Sequence, residues 1–297
     1  MPATVVVVGA NGLVGSQVCL ALRERGADVH GVVRRAGTAP DGIDEVVGDF
    51  TDPEFAAQAV AGADAVVTTV HPMGSDRGTQ EQVGVIGTAT LARAAAAAGV
   101  DRLVHLSTAA VYDRSPSAGD VSETSALVGD DANDYAVTKR DTEAAVAEVD
   151  GITRVLLRPP AILGPGPTSV WNTLRPAGMR DDEANRHAAA DGSWPWVHVT
   201  DLAALAADIA VGAIAASTDP ERGPVEGGCT PVSVVAGTDR QRDYFQTVAD
   251  AVGVDPVWDD RPAWTGQLRG DRARAWGWTP RVDLDAALDE LRTGLGG

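Results

Sequence analysis

Lysine is almost missing from this sequence. Of 24 basic residues in 297, Lys139 is the only lysine and the others are arginine. Against them stand 42 aspartates and glutamates, giving a formal net charge of -18. A chain this short of positive charge has no basic stripe for nucleic-acid phosphates. The same charge repels anionic membrane surfaces, so neither partner is expected. Cysteine is scarce as well, with only Cys19 and Cys229. Two distant cysteines make no disulfide framework, and no tight metal-ligand spacing is visible, so no metal is expected. Cys19 falls in an apolar helical run and belongs to the expected core. No apolar run reaches eighteen residues, which argues against a membrane span. TVVVVG follows the N-terminus without a basic leader and is too short for a secretion signal. The expectation is a soluble, cytoplasmic protein.

What is present is a regular alternation of apolar runs. Hydrophobic residues make up 44% of the chain, enough for a sizeable core. Strands are predicted over 4–8, 29–33, 46–47, 65–70, 102–106 and 153–157, with helices over 13–25, 53–60, 80–98 and 133–149 between them. The uniformly apolar TVVVV suits a strand buried on both faces. Such a βαβ series predicts an α/β fold with a doubly wound parallel sheet. After Arg158 comes the breaker-rich PPAILGPGP. VHVTDLAALAADIAVGAI then reads as strand, turn and helix. From about residue 223 the sequence is irregular and rich in tryptophan, ending in a predicted helix over 284–295. The domain expectation is a dinucleotide-binding unit over 1–160. Residues 161–297 are expected to complete the sheet and form a small C-terminal substrate-binding lobe.

The first strand runs into GANGLVG. A glycine pattern that follows a strand and opens a helix is the context for dinucleotide binding. Gly9 permits the tight turn, Gly12 lets the backbone approach a pyrophosphate, and Gly15 lets the helix pack near the strand. The helix N-terminus then faces the phosphates. The second strand ends in VVRR. An acid there would hold the ribose hydroxyls of NAD. Arg34 and Arg35 instead suit a 2'-phosphate, so NADP is preferred over NAD. Asp49, in GDF at the third strand's end, is placed to accept from the adenine amino group, with Phe50 beside the ring.

The fifth strand delivers LSTAAVY, and the following helix carries YAVTK. Tyr135 and Lys139 are one turn apart and share a face. A nearby ammonium favours phenolate and should lower the phenol pKa. The phenol can then exchange a proton with a carbonyl or alcohol oxygen. Thr108 is placed to hydrogen-bond that oxygen, and Lys139 also to hold the nicotinamide ribose. Hydride transfer is the nicotinamide's own chemistry.

GANGLVG, GDF, STAAVY, YAVTK, RPPAILGPG and VHVTDLA, in this order, resemble the blocks of the extended short-chain dehydrogenase/reductase family, also called the NAD-dependent epimerase/dehydratase family. The resemblance spans nearly the whole chain. It implies a Rossmann sheet with Thr108, Tyr135 and Lys139 as catalytic residues and Ser107 as a support. The expected cofactor contacts are Gly9, Asn11, Gly12, Leu13, Val14, Gly15, Arg34, Arg35, Asp49, Phe50, Thr69, His71, Lys139 and Pro159. The helix over 80–98 is a candidate half of a homodimer interface, as it is in relatives. Departures narrow the reaction. The family's dehydratases follow the threonine with Asp–Glu, whereas here Ala109 and Ala110 carry no proton. Its sugar-nucleotide enzymes place an asparagine three residues after the strand arginine, and here that position is Ala161. Gly84 stands where the family's NVxGT has asparagine. RPPAILGPG resembles the carbonyl-reductase and hydroxysteroid-dehydrogenase branches. The expectation is an NAD(P)-dependent oxidoreductase acting on a ketone, aldehyde or secondary alcohol. A sugar or sugar-nucleotide epimerase and a non-catalytic dinucleotide binder are the alternatives.

Overall fold

The computed structural model describes residues 2–296. Its main sheet has seven parallel strands: β1 (Thr4–Val8), β2 (Asp28–Val33), β3 (Asp44–Val47), β4 (Ala65–Thr68), β5 (Arg102–Leu106), β6 (Thr153–Arg158) and β10 (Cys229–Ser233). The order across the sheet is β10-β6-β5-β4-β1-β2-β3. Chain direction across the sheet therefore reverses between β1 and β4, which pair in register from Val5↔Ala65 to Val8↔Thr68. A crevice opens at the carboxyl ends of strands where such a reversal occurs.

Alternation along β1 divides the core into two faces. Val5 and Val7 pack with Val18, Leu22, Leu202 and Ile209 on the side of helices α1 (Leu13–Glu24) and α7 (Val199–Ala210). Val6 and Val8 pack with Ala56, Leu91, Ala95 and Val146 on the other side. That side belongs to α2 (Pro53–Ala59), α4 (Thr88–Ala97) and α5 (Asp134–Ala147). Cys19 is fully buried in the first face, and burial pushes its thiol pKa up to about 12. It is a core residue, as its apolar surroundings predict.

The helix expected over 80–98 starts earlier, as α3 (Arg77–Gln80), because the Asp76 side chain caps it by accepting from the Thr79 N–H. It then widens to a π-helical turn over Glu81–Gly87 before continuing as α4. The edge strand β10 was not among the predicted strands. Its sequence, CTPVS, contains a proline and little alternation, and a proline in a sheet belongs on an edge.

A second, three-stranded sheet of β11 (Gly237–Arg240), β9 (Ser193–His198) and β7 (Ala161–Leu163) joins α6 (Arg175–Asp181), α8 (Gln241–Val252) and α10 (Leu284–Leu295) around a separate core. Trp171, Trp194 and Trp196 fill that core. Trp194 stacks on Tyr244 with ring centroids 4.6 Å apart, and Trp171 meets both rings edge-on. His198 caps α7 and its Nε2 lies 3.0 Å from Glu290, while Asp201 accepts from the Arg281 and Val282 N–H groups. These two residues of the VHVTD block anchor the C-terminal segment. No described helix is long and apolar enough to cross a membrane.

Candidate active site

The glycine loop leaves β1 at the crevice. Gly9 has φ +87°, a conformation that favours glycine, and its amide bonds the Val32 carbonyl of β2. A Cβ on Gly15 would sit 2.1 Å from the Gly9 carbonyl oxygen, so only glycine lets α1 approach the loop this closely. Gly12 caps α1 without any side-chain acceptor, and the first turn holds no acid. The first-turn N–H groups are therefore left for an external anion, the arrangement that fits a dinucleotide pyrophosphate. Thr69, at the end of β4, braces the loop by donating to the Val8 carbonyl at 3.1 Å. Asn11 reaches Thr38 across the mouth of the loop, at 3.3 Å. Leu13 is half-buried, and Val14 is buried in the core of the α1 face.

Arg34 and Arg35 follow β2 directly, and both are exposed. Beyond them three successive amides, Gly37, Thr38 and Ala39, converge on the Glu45 carboxylate. Those bonds hold Glu45 below the usual carboxylate range and fix the loop. Asp49 is exposed and accepts from the amide and hydroxyl of Thr51. Phe50 does not present a free ring to the crevice as the sequence suggested. It is buried among Val6, Val8, Val32 and Leu91 because α2 and α4 close over it.

β5 pairing with β6 continues past the strand ends, with the Ser107 amide bonded to Leu157 O and the Ala109 amide to Pro159 O. Thr108 is held between these bonds. Its hydroxyl accepts from the Ala110 amide at 3.1 Å, which leaves the hydroxyl proton available to another acceptor. Across from it, Asn133 caps α5 by accepting from Ala136 N–H, placing Tyr135 in the first turn. Lys139 is 3% exposed and donates to the Leu106 carbonyl at 2.6 Å. Burial lowers its pKa to about 7, with the Glu143 carboxylate opposing the shift.

The phenol departs from expectation. Burial raises the Tyr135 pKa, and only the Thr108 hydroxyl acts to lower it. The lysine does not offset the desolvation, because its ammonium is turned to Leu106 O.

His71 follows β4 and closes the site from the opposite side. Its ring meets Tyr135 edge-on at 5.2 Å between centroids. The tautomer is set by Gln80, whose amide nitrogen donates to Ser75 O and whose oxygen therefore faces His71 Nε2 at 3.1 Å. His71 Nε2 must donate, leaving Nδ1 as a buried acceptor without a partner. Burial, then the Lys139 charge, lowers the His71 pKa to about 4, against the Gln80 bond. A Cβ on Gly84 would sit 3.0 Å from His71 Nδ1, so the imidazole occupies the space a side chain at position 84 would need.

Sequence reading missed the group that fixes α5. Tyr135, Lys139 and Glu143 form one ladder at intervals of four residues, and spacing could have revealed the third rung. Glu143 pairs with Arg158 at 2.6 Å, both side chains being 5–6% exposed. The same carboxylate accepts from the Ser107 hydroxyl, which places Ser107 as a support. Arg158 also donates to the Tyr112 hydroxyl, which in turn contacts Ser233 at the end of β10. Burial works against the guanidinium charge, but Glu143 overrides it and holds Arg158 above its usual range. Tyr112 is therefore a core residue.

A glycine cradle at the switch point, with Thr108, Tyr135 and Lys139 on the neighbouring strand and helix, defines a dinucleotide-binding α/β protein. The family model for the NAD dependent epimerase/dehydratase family matches residues 5–218, and the chain belongs to that family. Its relatives include a 2-alkyl-3-oxoalkanoate reductase of Stenotrophomonas maltophilia (strain K279a), 33% identical over 172 residues, or 54% of this chain and 52% of that protein. A 3-beta-hydroxysteroid dehydrogenase of Mycolicibacterium neoaurum is 31% identical over 184 residues, 57% of this chain and 50% of that one. The chain spans about half the length of these curated relatives. Among solved structures, a short-chain dehydrogenase/reductase superfamily protein from Agrobacterium tumefaciens with bound NAD has a TM-score of 0.77 at 22% identity, covering 98% of this chain and 96% of that one. A UDP-glucose 4-epimerase from Thermotoga maritima has a TM-score of 0.76 at 17% identity, covering 98% of both chains. At these identities the likeness is one of fold.

The ion pair yields a direct test. Glu143→Ala leaves the Arg158 charge buried and unpaired, and should cost about 3–5 kcal/mol in urea unfolding. Adding Arg158→Met should restore a substantial part of that loss. An unchanged midpoint in the single variant would contradict the assignment.

Proposed function

We propose that this protein is a nicotinamide-dependent reductase or dehydrogenase that interconverts a ketone or aldehyde with its alcohol. The reading is supported by Thr108 closing the turn after β5, with Tyr135 and Lys139 one turn apart on α5 and Lys139 bonded to Leu106 O, while Ala109, Ala110 and Ala161 can carry no proton. A bound nicotinamide supplies or accepts the hydride at the carbonyl carbon. Tyr135 handles the matching proton. Its raised pKa keeps the phenol protonated at neutral pH, the form that donates to a carbonyl oxygen during reduction. Thr108, whose hydroxyl faces the Tyr135 phenol, would bond the same substrate oxygen and orient it. Lys139, one turn from Tyr135 and bonded to Leu106 O, would hold the nicotinamide ribose in this reading. Its pKa near 7 suits it to exchange a proton at physiological pH. His71 stays neutral and holds the Tyr135 ring edge-on.

For the cofactor, the family is NAD-dependent. We assign a preference for the 2'-phosphorylated form to Arg34 and Arg35, which are exposed beside the loop. The remaining glycine-loop residues, Asp49, Thr69 and Pro159 line the cofactor's path in this reading. The names of two relatives, the oxoalkanoate reductase and the hydroxysteroid dehydrogenase, fit carbonyl chemistry.

Tyr135→Phe should lower kcat by about 10²–10⁴-fold while leaving NADPH affinity, followed by fluorescence titration, largely unchanged. Turnover retained in that variant would remove Tyr135 from its role. Arg34→Ala should weaken NADPH binding by about tenfold or more, the worth of one charge-assisted hydrogen bond, and leave NADH binding nearly as it was. Equal losses for both cofactors would contradict the phosphate assignment.

A further inference from the structure

Beyond the cofactor crevice, the loop after Tyr112 and the segment before Leu268 border an open pocket of about 400 Å³. Its polar lining is Arg114, Ser193, Gln241 and Arg261, and Trp264 supplies the largest apolar wall. Arg114 is half-buried, with its guanidinium carbon 5.7 Å from the centroid of the Trp264 ring. That ring is itself fixed, because Trp264 is buried and its indole N–H donates to Gly119 O at 2.6 Å.

Arg114 makes neither an ion pair nor a hydrogen bond with any described residue. Several other partly or fully buried arginines of this acid-rich chain have carboxylate partners, as in Arg25–Asp208, Arg140–Asp130, Arg158–Glu143 and Arg272–Glu221, and the buried Arg154 donates instead to backbone carbonyls. Arg114 has none among the described residues. Burial alone acts on it and pulls its pKa below the usual arginine range, with no acid opposing the shift. With 42 acidic residues available, a desolvated guanidinium without a counter-ion is a cost that a ligand can relieve.

The other lining groups define the ligand. Gln241 uses its oxygen to accept from the Ala189 amide at 3.2 Å, leaving its amide nitrogen as a donor. Ser193 spends its proton on Gly266 O. Arg261 is exposed and engages Asp259 through Nε, so at the rim it offers its terminal N–H donors and little net charge. Free donors therefore point to an anion, and the planar fork of Arg114 matches a carboxylate. The walls of Trp264, Pro116, Pro262 and Ala263 suit an apolar body behind it. A net charge of -18 disfavours a multiply charged phosphate ester.

Chain and packing connect this pocket to the candidate active site. Trp264 packs in one cluster with Ala109 and Tyr112, and Ala109 directly follows Thr108. We infer that Arg114 binds the carboxylate of the substrate, so that the substrate class is an oxo acid, or the matching hydroxy acid, with an apolar body. This rests on the carbonyl-reductase reading above and adds the group that selects the substrate.

Two measurements separate the inference from that reading. Octanoate, which has no carbonyl to reduce, is titrated into wild type, Arg114→Leu and Arg114→Lys by calorimetry, with methyl octanoate as the uncharged control. NADPH oxidation is then followed with 3-oxooctanoate and with its methyl ester. Octanoate should bind wild type and lose about tenfold or more in affinity in Arg114→Leu, with Arg114→Lys intermediate. KM for the oxo acid should rise by a similar factor with kcat little changed, while KM for the ester stays put. No octanoate binding, equal binding by Arg114→Leu, or equal KM changes for acid and ester would overturn the inference. Arg114-dependent octanoate binding without reduction of either oxo compound would support the carboxylate site and bring down the reductase reading instead.

Discussion

The buried Glu143–Arg158 pair is the constraint on which the site depends. It joins helix α5 to the end of β6, and through Ser107 and Tyr112 to the ends of β5 and β10. A pair this deep gains little over an apolar contact in stability, but it is costly to break. Its consequence here is registry. With Glu143 fixed, Lys139 and Tyr135 lie one and two turns earlier on the same helix face. The lysine meets the Leu106 carbonyl, and the tyrosine comes opposite Thr108. A helix sliding by one residue would rotate all three away from the sheet edge.

The lone lysine follows from the same geometry. Lys139 is buried beside two other basic groups, His71 and His105, and the pKa of each is pulled down first by desolvation and then by its charged neighbours. Both histidines therefore stay neutral, and Lys139 is left as the group that titrates near pH 7. A compact ammonium suits the space beneath Leu106 O, and the broad plane of an arginine would not. The buried Arg154 spreads its plane over the Ala147, Val149, Gly227 and Gly228 carbonyls, whereas Lys139 meets the single carbonyl of Leu106.

Much of this was legible from local pattern. The apolar alternation located the strands, and GANGLVG between strand and helix announced the cradle. YAVTK put Tyr135 and Lys139 on one face of a helix, as α5 has them. What escaped depended on contacts between distant segments. Glu143 reads as an ordinary helical acid until Arg158, fifteen residues away, is folded against it. β10 hides behind Pro231. Phe50 looks like a ligand contact in sequence and proves to be buried core, because aromatic composition does not say which face a ring presents. Gly84 looked like a missing polar group, whereas the space it leaves is filled by His71 from another strand end. The phenol pKa was expected to fall, and burial reversed the sign.

The central claim is that this site moves a hydride to a carbonyl carbon once per turnover and a proton to its oxygen. Its most direct measurement is the fate of label from a cofactor deuterated at the transferable nicotinamide position. Mass spectrometry of the product should show one deuterium on the carbinol carbon, with one cofactor oxidised for each molecule formed. An epimerised product with no net cofactor oxidation would contradict the account.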